Sequence, residues 1–65
     1  MKEKRLSARL DELNSLNRNI GRLTFFIQEH EVDEEEESLN LFKQQLEAMV
    51  TYRDVLQQRI IRGFY

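Results

Sequence analysis

The chain has no cysteine, no proline and no tryptophan, with two glycines and one histidine in 65 residues. Without cysteine there is no disulfide and no thiolate metal site. One histidine is too few for the His-rich ligand sets of zinc centres. Without proline and with so little glycine, the chain has few of the residues that break helices or build phosphate-cradling loops. Uninterrupted apolar runs stop at three residues, as at Phe25-Phe26-Ile27, far short of a membrane span. No hydrophobic signal core follows the charged start Met1-Lys2-Glu3-Lys4-Arg5. These absences point to the cytoplasm, and to a chain that carries neither metal nor cofactor.

What remains is apolar (40%) and charged (34%) in the balance of a water-soluble helical protein. The net charge of -2 argues against binding a nucleic-acid polymer. The distribution of that charge says more. Seven of the twelve acids fall within residues 29–37, and the rest of the chain sets ten Lys and Arg against five acids.

Leu6, Leu10, Leu13, Leu16, Ile20, Leu23 and Ile27 recur every three or four residues, the spacing of one helix face. Leu39, Phe42, Leu46, Met49, Leu56 and Ile60 repeat the pattern, with Arg53 in the place of one apolar step. Gly21 costs the first helix about 1 kcal/mol against alanine, and offers a place for another helix to approach closely. Between the stripes, Asp33 is an expected N-cap, with Glu36 three residues on in the capping-box position. The acids of the first turn meet the positive end of the helix dipole. Metal binding and an acidic interaction surface are the other readings of this run.

The expected fold is therefore all-α: an antiparallel two-helix hairpin, one domain over 1–65. Helices are expected over 4–29 and 34–62, an acidic turn over 30–33 and an aromatic tail after Gly63, the expected helix stop. Facing residues should have numbers that sum to about 65, given equal arms of ~38 Å. One seam barely balances the ordering cost of such a chain, at about 1.5 kcal/mol per residue. Phe25, Phe26, Leu41, Val50, Tyr52, Val55, Ile61, Phe64 and Tyr65 lie off that seam or at its margin. They are expected to pack in a homo-oligomeric helical bundle, a dimer at least.

Folding the hairpin gathers Lys2, Lys4, Arg5 and Arg9 with Arg53, Arg59 and Arg62 at one pole, away from the acidic turn. Guanidinium groups suit phosphate. Arg53 interrupts an apolar stripe, with Tyr52 beside it and Asn14 and Asn17 expected opposite. The candidate ligand-binding set is Arg53, Tyr52, Asn17, Arg9 and Arg59. In the other reading, Arg53 is a polar core position that fixes register, or pairs with Asp11, Glu12 or Asp54. No nucleophile, base and orienting acid come together in the sequence, so no enzyme is expected.

Gln44-Gln45 followed by Leu46-Glu47-Ala48-Met49-Val50-Thr51-Tyr52-Arg53-Asp54-Val55-Leu56-Gln57-Gln58-Arg59-Ile60 resembles the second helix of a family of very small phage proteins. That family is labelled by its relation to a crAss-like phage protein, and its pattern is Q-L-x-A-M-x-x-Y-x-x-x-L-x-x-R-I. Arg5-Leu6, Leu13, Ile20, Leu23 and Phe26-Ile27 resemble its first helix. The resemblance implies a phage-encoded hairpin that oligomerises in the host cytoplasm. Size and shape are also similar to the phage sponge proteins of the anti-CBASS and Thoeris-antagonist type. That likeness implies an anti-defence sponge, which sequesters a cyclic nucleotide or ADP-ribose-type immune signal without cleaving it. The Lys-x-x-Gly motif of the anti-CBASS hairpins is absent, so no residue role is carried over from them. The alternative is a protein–protein interaction module that docks on a host or phage protein through its apolar and acidic faces.

Overall fold

The computed structural model describes residues 2–65. Two helices, α1 (Lys2–Glu29) and α2 (Glu36–Ile61), fold back on each other as an antiparallel hairpin of 48 × 15 × 13 Å. Neither is long and apolar enough to cross a membrane.

The seam follows the two apolar stripes. Ile20, Ile27, Leu39 and Leu56 are buried, and Leu56 alone is fully enclosed. Near the turn, Phe26 meets Phe42 edge-on with ring centres 5.0 Å apart, a favoured aromatic geometry. The His30 ring lies tilted against Phe26, with ring centres 4.3 Å apart. The far half is keyed by the Tyr52 hydroxyl, which donates to the Glu12 carboxylate. The number pairs 26/42 and 12/52 sum to 68 and 64, close to the expected register.

The turn departs from expectation. Asp33 does not cap α2. α1 closes with His30 N–H donating to the Phe26 carbonyl at 3.0 Å, and a separate turn follows, closed by Glu34 N–H donating to the His30 carbonyl at 3.1 Å. Asp33 therefore lies within that turn, and its carboxylate pairs with His30 Nδ1 at 3.2 Å. The chain first becomes extended at Glu35 (ψ 140°), which occupies the N-cap without a side-chain cap bond. Glu36 and Glu37 fill the first turn, as the dipole favours. The short capping side chain stands two residues too early to reach the free N–H groups of α2.

The other end stops as expected. Gly63 has φ +75°, a left-handed conformation that costs other residues about 1–2 kcal/mol. Gly63 N–H reaches the Ile60 carbonyl at 3.1 Å, and Phe64 N–H reaches the Arg59 carbonyl at 2.7 Å. This pair of bonds is a Schellman stop. Arg59 Nε also donates to the Phe64 carbonyl at 3.2 Å, so the tail is pinned on both sides of its backbone.

Apart from its chain neighbours and its own helix backbone, no atom among the described residues comes within 4 Å of a Cβ built on Gly21. Within the chain, the close approach this glycine allows does not occur. Gly21→Ala is therefore expected to raise the unfolding free energy by about 1 kcal/mol. Leu56→Ala, which empties the most enclosed position, should lower it by about 2–5 kcal/mol. Denaturant melts at fixed protein concentration check both; a neutral Leu56→Ala would place the core elsewhere.

Candidate functional site

At the C-terminal end of α2 the Schellman stop turns the aromatic tail back along the helix. It leaves an open groove of about 380 Å³ lined by Asp54, Val55, Gln58, Arg59, Arg62 and Phe64. Ligand sites begin at about 300 Å³. Val55 supplies an apolar floor and Phe64 an exposed ring. Arg59 keeps its terminal nitrogens available, because the recorded bond to Phe64 uses Nε. Asp54 is held from behind: Arg53 Nε donates to its Oδ1 at 3.2 Å, and the terminal nitrogen Nη2 lies equally close.

Beside it, a second shallow groove is lined by Gln44, Glu47, Ala48, Thr51, Tyr52 and Val55. Val55 is common to both. The Tyr52 ring forms part of this wall while its hydroxyl is anchored on Glu12. Arg9 meets the same carboxylate, its Nε 3.1 Å from Glu12 Oε1. That Nε is closed off from solvent without hydrogen-bond alignment, so the contact is one of charge alone. The Tyr52 phenol is raised above its usual range. The leading cause is the hydrogen bond to the Glu12 carboxylate, which favours the neutral phenol. Loss of solvent and the charge of Glu12 act in the same direction, while Arg59 and Arg9 oppose it.

The structure thus divides the five residues singled out by sequence. Arg59 lines the terminal groove. Arg53 faces its sequence neighbour Asp54 and reaches the groove only through it. Tyr52 and Arg9 meet on Glu12. Asn17 is exposed on α1 and takes no side-chain hydrogen bond among the described residues. Sequence reasoning offered Glu12 and Asp54 only as possible partners of Arg53, of which the structure shows Asp54; it missed Gln58 and the placement of Phe64. The stop at Gly63 was the available signal for Phe64, because a left-handed residue there returns the next one onto the preceding turn. Among the described residues, no group of three His, Cys, Asp or Glu side chains is placed to hold a metal ion.

The family model Sequestin matches residues 4–62. The chain belongs to the Sequestin family. The match spans both helices, the acidic turn and Arg59 and Arg62 of the groove, and ends just before the Gly63 stop. It carries no relation to a crAss-like phage protein, so that finer resemblance is not shown by it. No curated protein and no solved structure matches this member of the family.

The Tyr52–Glu12 bond has a pH signature. Because the folded phenol is raised, its stabilising effect is present below the ordinary phenol range and is lost as pH rises through the raised value. Glu12→Ala should return Tyr52 to the ordinary range, read by tyrosinate absorbance in a Tyr65→Phe background. An unchanged titration would contradict the bond.

Proposed function

We propose that this chain sequesters a small phosphorylated molecule, of the cyclic nucleotide or ADP-ribose class, and releases it chemically unchanged. The name of its family speaks for sequestration. The observation that carries the molecular reading is the groove in which Arg59 and Arg62 flank an apolar floor and an aromatic ring. Each part suits a part of a nucleotide. Guanidinium forks hold phosphate. The exposed face of Phe64 offers stacking to a base. Asp54, steadied by Arg53, accepts from ribose hydroxyls or an exocyclic amine. Gln58 both donates and accepts. A lone carboxylate held by an arginine favours binding over bond cleavage, because acid–base cleavage calls for a second group of matched pKa. A phage origin and a role against host immune signalling fit a protein that only traps its ligand.

A second reading rests on the opposite pole. Val32 is fully exposed at the tip of the acidic turn, a polar-rimmed apolar point suited to docking on a basic protein surface. The two readings separate by where substitutions act.

A thermal-shift screen against cyclic dinucleotides, cyclic trinucleotides and ADP-ribose derivatives should find a stabilising ligand. A charged hydrogen bond contributes about 1.5–3 kcal/mol. Arg62→Met should therefore weaken that ligand about 10- to 150-fold, at 1.4 kcal/mol per factor of ten, with the melting curve of the free protein little changed. Phe64→Ala should weaken it to a similar degree. Wild-type affinity in both variants would overturn this site. Loss of a captured protein after Val32→Asp, with no nucleotide bound by the wild type, would favour the second reading.

A further inference from the structure

α2 carries a second apolar stripe. Leu41, Ala48 and Val55 recur every seven residues with Tyr52 between them. Leu41, Ala48 and Val55 lie on the side of the helix turned away from the seam, where Leu41 is 60% and Val55 52% exposed, and Tyr52 borders it while its hydroxyl reaches Glu12 of α1. The two shallow grooves run along this face and meet at Val55. No part of the described chain covers it.

The chain as a whole has surface to spare. It exposes 5170 Å², whereas a compact monomer of 7.9 kDa exposes about 4,400 Å². Its radius of gyration is 14.7 Å, against about 11 Å for a compact domain of this length. The surplus of roughly 750 Å² is close to the ~800 Å² that each partner contributes to a standard-size interface. A second copy of the chain is therefore of the right size to cover it.

Charge selects the orientation. Two parallel copies would bring their acidic turns together. In antiparallel copies, Glu36 and Glu37 at the start of one α2 are carried toward the end of the other α2, where Arg59 and Arg62 stand. The helix dipoles then oppose as well. We propose that two copies of this chain dock antiparallel, α2 against α2, with the two-fold axis at Ala48. About that axis Leu41 lies opposite Val55 of the second copy, and Gln44 opposite its Tyr52. Ala48 meets itself, and its small side chain lets the helices approach closely. The second copy's Leu41 closes the Val55 side of the terminal groove and gives that open groove another wall. This interface does not rest on the identity of the ligand.

Light scattering at micromolar concentration should give twice the chain mass of 7.9 kDa. Ala48→Glu should give a monomer with its helices retained by circular dichroism. Because the chain has no cysteine of its own, Ala48→Cys serves as a second test. Mild oxidation should link it into a disulfide dimer far faster than Ser15→Cys, an exposed position on α1. A monomeric wild type, a dimer that survives Ala48→Glu, or equal crosslinking at both positions would overturn the interface. Ligand binding read on the same samples separates the two proposals. A monomer that binds overturns the interface alone, and a dimer that binds no nucleotide overturns the sequestering reading alone.

Discussion

A single helix–helix seam covers one side of each helix, and this hairpin has no third element to cover the others. With two arms of 28 and 26 residues, the interior reduces to a line of side chains, only one of which is fully enclosed. Among the described residues, the apolar groups other than Ile20, Ile27, Leu39 and Leu56 are shared with solvent. The same constraint that leaves the fold thin leaves most of its surface available for contact. Chains of this size that lack disulfides and metals commonly find their remaining stability in association.

Reversal of the chain at the turn also sorts its charge. The acids concentrate where α1 ends and α2 begins, and the guanidinium groups of α2 stand at the opposite pole. In the same place the helix stop decides what chemistry the pole offers. Gly63 takes the left-handed conformation, Phe64 returns along α2, and Arg59 holds its carbonyl. A few residues thereby turn a helix terminus into a groove with an apolar floor, an aromatic wall and two cations. The groove is built mostly from α2 and its tail, so its geometry depends little on the turn.

The fold was readable because it rests on periodicity. The leucine and isoleucine steps of α1 and the Leu39–Ile60 stripe of α2 set the seam and its approximate register, and Gly63 marked the stop. The site was readable only in part. Arg59 was identified by charge and position. For Arg53, partners across the hairpin and the adjacent Asp54 were both open readings; a flexible guanidinium can turn to the adjacent carboxylate, and it does so here. Glu12 was offered only as a partner for Arg53; its bond to Tyr52 depends on the exact rotation of both helices, which spacing does not show. The cap at Asp33 failed for a related reason. Capping residues can be recognised by type, but where a helix starts depends on how the chain turns before it, and here a turn closed between Glu34 and His30 holds Asp33 away from the start of α2.

Sequestration makes a demand that no helix geometry can meet by itself: the captured molecule must come back whole. The most direct measurement mixes the protein with a pool of cyclic nucleotides and ADP-ribose derivatives, removes free ligand by filtration, denatures the protein and weighs what is released. The account predicts one phosphorylated nucleotide retained in proportion to protein and recovered at its original mass. Recovery of cleaved products, or retention of no nucleotide at all, would contradict it.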